Sequence, residues 1–226
     1  MIILLGTVAA IMQAWGYWSY NQKHTLNRTD PNPYTWLMFA YGTALLTLLE
    51  LDTLVVEFGT LSLIGAVLLL LPVVCSLGAI WIFWKIYRKN KREHVRSVFW
   101  PTDRTDQFSL VADIVITCAY VACWILLFWA LISEGLRDSV AWWALFFANA
   151  STVPGFIPMY RAILSGEEIE YITPWTIWGV AYAALAVATF MKVETLWHAL
   201  MFYPIANAAF HLGVAALVIF KQRLTK

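Results

Sequence analysis

Long, continuously apolar runs separated by short polar stretches dominate the pattern of this chain. A helix needs about 20 predominantly apolar residues to cross the hydrocarbon core of a bilayer. Runs of that kind fall at 2–20, 34–52, 58–86, 107–133, 140–161, 173–192 and 196–220. Within them apolar residues are contiguous, whereas a membrane barrel strand would alternate at every second position. The pattern therefore predicts an all-α membrane protein with seven transmembrane helices.

Composition agrees with the pattern. Of 226 residues, 61% are hydrophobic and 13% charged, more apolar surface than a soluble domain of this length can bury. The net charge of +1 says nothing about partners, but the placement of charge does. Sorted between alternate loops, 13 of the 15 Lys and Arg fall on one side, Arg137 and Lys192 being the exceptions. The positive-inside bias makes that side cytoplasmic, with the amino terminus outside and the carboxyl terminus inside. The opening "MIILLGTVAAIMQAWGYWSY" lacks the leading basic residues of a secretory signal and is expected to stay as a span. Trp81, Trp84 and Trp100 then lie near the inner interface and Trp142 and Trp143 near the outer one, where indole rings anchor.

The chain also echoes itself. "NPYTWLMFAYG" from Asn32 and "TPWTIWGVAYA" from Thr173 superpose at a shift of 141 positions, pairing Pro33 with Pro174, Thr35 with Thr176, Ala40 with Ala181 and Tyr41 with Tyr182. Each copy opens the second helix of a set of three, and each set closes on an apolar-aromatic run and a lysine, "IWIFWK" at Lys85 and "ALVIFK" at Lys221. Spans one to three thus match spans five to seven. Three crossings are an odd number, so the fourth helix restores the direction of the second set, and the two sets are expected to be parallel repeats. The expected organisation is a first three-helix bundle over 1–88, a basic loop over 89–106, a linker helix and outer loop over 107–138, and a second bundle over 139–226.

This three-plus-one-plus-three plan resembles the SWEET sugar transporters and the related PQ-loop proteins, an architecture shared by the nicotinamide riboside transporters. Pro158-Met159 followed by "ITPWTIWGVAY" is similar to the second repeat of that superfamily, whereas the first span has no proline and only Gln13 stands near the motif. The resemblance implies transport of a small polar solute, a sugar, nucleoside or similar metabolite, by alternating access between two bundles. It also implies an Asn facing substrate from the third and seventh helices. Asn207 fits the second of these, and the third span contains no Asn.

Proline in a helix removes a backbone hydrogen bond and bends the chain. In a bilayer the freed carbonyl needs a neighbour or water, which favours a helix beside a cavity. Pro158 and Pro204, with Pro72 and Pro154, are such positions. Pro33 and Pro174 are hinge candidates too, although proline in a first helical turn acts equally well as a start signal. Tyr203, Asn207 and His211 follow one another at i, i+4 and i+8 on the last span, within about 80° of arc, and offer donors and acceptors for a polar solute. Interhelical hydrogen bonding is the alternative role for Asn207 and His211. Asn149, Ser151 and Thr152 are placed to line the same cavity, and Tyr41 and Tyr182 to face each other across the repeat axis. His211 and Asp113 are candidates for proton coupling, with Asp113 open also to pairing with Arg104 or reaching the interface.

Several chemistries are excluded. No lysine lies between Lys192 and Lys221, so a retinal linkage in the last helix is ruled out. Cys75, Cys118 and Cys123 have no metal or disulfide spacing, and neither a phosphate-binding glycine loop nor an H-E-x-x-H motif occurs. No cofactor, metal, nucleic-acid partner or catalytic group is expected, and the chain reads as a non-enzyme. The basic loop over 85–104 suits anionic lipid headgroups or a protein partner, and the acidic Glu167, Glu168 and Glu170 are expected to attract it. A non-transporting receptor or assembly subunit with the same fold, alone or as an oligomer, is the competing class.

Overall fold

The computed structural model describes residues 1–27, 33–58, 62–90, 104–128, 134–166 and 170–224. Among them there are seven helices and no strand: α1 (Ile2–Asn27), α2 (Pro33–Phe58), α3 (Leu63–Asn90), α4 (Arg104–Phe128), α5 (Glu134–Ser165), α6 (Ile172–Val193) and α7 (Ala199–Leu224). Five are long and apolar enough to cross a bilayer, over Ile2–Thr25, Thr35–Val55, Leu63–Arg88, Ile172–Val193 and Ala199–Arg223, while α4 holds a shorter apolar stretch, Leu110–Leu126. The protein is a multi-pass integral membrane protein. Leu4, Leu77, Val115 and Phe220 point outward, as expected where the surrounding solvent is hydrocarbon instead of water.

The helices outrun the apolar runs that predict them. α1 continues to Asn27 instead of stopping near 20, and α5 starts at Glu134 instead of 140. Backbone hydrogen bonding does not end where the apolar surface does, so polar turns extend a helix past the hydrocarbon. α5 closes at Ser165, followed by Gly166 at φ 87°, a left-handed position that glycine occupies without strain. At the far end of α6, Glu194 takes φ 56° and its N–H bonds the Phe190 carbonyl at 2.8 Å.

Neighbour relations are simple. α3 lies between α1 and α2, and α7 lies between α5 and α6; α1 packs on α6, α2 packs on α5, and α4 rests against α5 and α2. Contacts at one end fix helix directions. The Lys85 ammonium donates to Asn21 Oδ1 at 2.7 Å, the Tyr20 hydroxyl donates to Glu170 at 3.3 Å, and the Lys221 ammonium donates to the Ile163 carbonyl. Consequently α1, α3, α5 and α7 finish at this basic end, where α6 begins. Lys85 and Arg88 also sit over the rings of Trp81 and Trp84, at 4.7 and 4.9 Å, an arrangement suited to an interface that is half apolar and half wet.

The α1–α6 seam is closely packed. Ala9, Gln13, Gly16, Tyr17 and Tyr20 recur at helical spacing on α1 and are all buried. A side chain at Gly16 would run into the Trp178 indole, so glycine there lets that ring close on α1. Trp178 then donates from Nε1 to the Gln13 carbonyl at 3.2 Å.

Candidate functional site

Between the helices lies a cavity of about 40 Å³, to which Tyr17, Gly42, Cys75, Asp113, Phe156, Trp178 and Asn207 each contribute from a different helix, so all seven converge on it. In this conformation it has room for about three water molecules.

One side of the chamber is a row of hydroxyls. The Tyr17 hydroxyl lies 3.2 Å from the Cys75 thiol, Tyr182 donates to the same sulfur at 3.0 Å, and the Tyr182 and Tyr203 hydroxyls meet at 2.8 Å. The row links α1, α3, α6 and α7. Fully buried Gln13 sits beside Tyr17 and Cys75.

Aromatic rings form the other side. The His211 ring has Tyr182 at 5.0 Å, Trp175 and Phe156 at 5.4 Å and Trp178 at 5.8 Å between centroids. Its Nδ1 donates to the Asn207 carbonyl at 2.7 Å, and Asn207 Nδ2 donates to the Tyr203 carbonyl at 2.9 Å. Both side chains therefore use one polar atom on their own helix. Asn207 Oδ1 and His211 Nε2 have no partner among the described residues, and both side chains line the cavity. Asp113, 3% exposed, lines it from α4; its Oδ2 lies 3.5 Å from where a Cβ on Gly42 would stand.

Toward the basic end, Trp175 of the chamber wall belongs to a second cluster. Glu170, just before α6, accepts from Trp175 Nε1 at 2.7 Å and from Tyr20 at 3.3 Å, with His24 Nε2 at 3.9 Å. One carboxylate thus holds the end of α1 to the start of α6.

The residues singled out in the sequence separate into groups. Asn207 and His211 line the chamber with Tyr182, and Tyr203 is tied to it through the hydroxyl row. Tyr41 and Tyr182 are not brought together: Tyr41 bonds the Asp113 carbonyl at 3.4 Å and Thr117 Oγ1 at 2.5 Å, on α4. Tyr41's partners thus come from α4 and not from α6. Asn149 turns back on its own helix, donating to the Leu145 carbonyl at 2.8 Å, and is not among the lining residues. Pro33 is the first residue of α2 and Pro174 the third of α6, so both act as helix starts, whereas Pro204 and Pro72 are internal to α7 and α3. Pro158 falls within the range of α5. Asp113 faces the chamber instead of the interface. Glu170 is buried and accepts from Trp175 and Tyr20, and Glu167, Glu168 and the loop residues 91–103 lie outside the described residues.

Sequence reasoning passed over Tyr17, Trp175, Trp178, Glu50 and Asp52. The spacing Gln13, Gly16, Tyr17, Tyr20 was the available signal, since polar and small residues on one face of a membrane helix mark a protein-facing side. No protein-family model, curated protein sequence or solved structure matches this chain.

Proposed function

We propose that this protein is a transporter for a small polar solute, of the sugar, nucleoside or similar metabolite kind, working by alternating access between two three-helix bundles. The observation that carries this reading is the chamber: seven helices converge on a space edged by Asn207 Oδ1 and His211 Nε2, two polar groups with no partner among the described residues. Polar groups left open inside a membrane are costly unless something polar visits them.

The neighbour relations support the mechanism. Exchanging α1, α2 and α3 for α5, α6 and α7 turns the α1–α6 contact into the α5–α2 contact and leaves each third helix between its first and second. Two equivalent bundles joined by a linker helix is the arrangement in which one half can rock on the other about a central site. The basic residues place the amino terminus outside and the carboxyl terminus in the cytoplasm in this reading.

One observation favours the competing class, a receptor or assembly subunit that moves nothing. Space for about three waters is small for a solute site. Flux separates the two. In liposomes, the full chain is expected to pass at least one solute from a labelled panel of sugars, nucleosides, vitamins and amino acids faster than protein-free vesicles do. Saturable binding of a solute that never crosses would establish the receptor class instead.

A further inference from the structure

Glu50 is a carboxyl within the second membrane span, 5% exposed. It continues a stripe. Phe39, Thr43 and Leu46 line the chamber from α2, and Glu50 follows in the same steps of three and four residues, one turn beyond Leu46 toward the end opposite the basic cluster. Its carboxyl makes no hydrogen bond or ion pair among the described residues and stands within electrostatic reach of the Tyr203 hydroxyl. Tyr203 in turn heads the row that runs through Tyr182 to Cys75. Glu50 therefore adjoins the chamber by two routes, along α2 and through α7.

The elements around Glu50 supply no fixed cation among the described residues. α2 packs on α3 and α5 and touches α4 and α7. Residues 63–74 of α3 and 142–150 of α5 hold no titratable group, α7 brings Tyr203 and, farther along, His211, α4 brings Asp113, Cys118, Tyr120 and Cys123, and Asp52 follows on α2 itself. The buried side chains include no Lys or Arg. An ionised carboxylate without a partner is costly to enclose away from water, and the chamber beside Glu50 is closed down to about 40 Å³. Closure of this kind calls for a proton on the carboxyl, and opening to water removes the need for it.

We propose that Glu50 is the proton-binding site of this protein: closing the chamber takes one proton from water onto the Glu50 carboxylate, and opening to the other side releases it, so that a proton crosses with the solute. The proposal rests on reading the chamber as a transport site and names the ion coupled to it. Because the closed form holds the extra proton, acid favours closing and the open form gains as pH rises.

The test is the rate at which methyl methanethiosulfonate, a small neutral thiol reagent, modifies Cys75 in the full chain in lipid nanodiscs. Peptide mass spectrometry reads Cys75 apart from Cys118 and Cys123. Cys75 lines the chamber and is 4% exposed in the closed form, so its modification reports opening. Only the thiolate reacts, which by itself raises the rate about tenfold per pH unit. One proton released on opening multiplies that by about ten again. Between about pH 5.5 and 7.5, above the range of a free carboxyl, the wild-type rate is expected to rise about a hundredfold per unit and that of Glu50→Gln about tenfold, with Glu50→Asp keeping the steeper slope. A wild-type slope of only about tenfold would overturn the proposal without any variant having to fold. So would a steep slope that survives in folded Glu50→Gln, which would put the proton on another group. Liposome flux keeps the two readings apart: a panel solute carried by a chain with the shallow slope refutes the proton site alone, whereas the steep slope in a chain that carries none of the panel refutes transport and leaves proton-linked closure standing.

Discussion

The Tyr182 hydroxyl of α6 donates to the Cys75 thiol of α3 at 3.0 Å, joining side chains 107 positions apart in the chain. The same hydroxyl meets Tyr203 of α7 at 2.8 Å. A single oxygen thus couples three helices, and its removal takes one hydrogen bond from each of two buried partners.

Tyr182→Phe is therefore expected to destabilise the protein by about 1–3 kcal/mol, since buried partners lose a hydrogen bond while the ring packing stays. Thermal unfolding in one fixed detergent measures it. Combined with Cys75→Ala in a double-mutant cycle, the two losses should fall short of additivity. Additive losses would mean that the bond carries no coupling energy.

Glu170 makes a second prediction. Glu170→Ala leaves the Trp175 Nε1 donor and the Tyr20 hydroxyl without their acceptor, at a cost of about 1–3 kcal/mol. The effect should be local. Hydrogen exchange is expected to rise in the last turns of α1 and the first turns of α6, with α3 and the far end of α7 unchanged.

Gly16 tests the close approach of α1 and α6. A methyl group there meets the Trp178 indole, and overpacking of this kind costs about 1–3 kcal/mol. Gly16→Ala should lower Tm and shift tryptophan emission as the ring moves. An unchanged Tm and spectrum would show that the seam has slack the structure does not suggest.

Asn207 and His211 should matter more to the solute than to the fold. Each spends one polar atom on its own helix, has a second with no partner among the described residues, and lines the chamber. Asn207→Ala and His211→Ala are expected to lower flux by about tenfold each, the worth of roughly one hydrogen bond to solute. Asn149→Ala, at a residue not among those lining the cavity, should leave flux near the wild-type value. Equal losses in all three variants would point to general destabilisation.

Much of the site was legible in one dimension and some was not. Asn207 and His211 could be found because polar residues at four-residue spacing in an apolar helix share a face whatever that helix packs on. Tyr41 could not be placed the same way. The internal echo pairs it with Tyr182, but its partners, the Asp113 carbonyl and Thr117, come from α4, which lies outside both copies of the echo.

By itself the sequence determined the solvent and the elements. Runs of apolar residues long enough to span hydrocarbon force helices, because a backbone without water must bond within its own segment. The loop charges and the repeated "PYT" and "PWT" starts follow from the same one-dimensional pattern. Only the tertiary structure decided which helix faces which, and with that the hydroxyl row, the burial of Glu170 against Trp175 and Tyr20, and the place of Asp113 in the cavity wall. These depend on side chains 58 to 150 positions apart meeting at a few ångströms, and packing of that kind is set by the shapes of both partners, which no local pattern encodes.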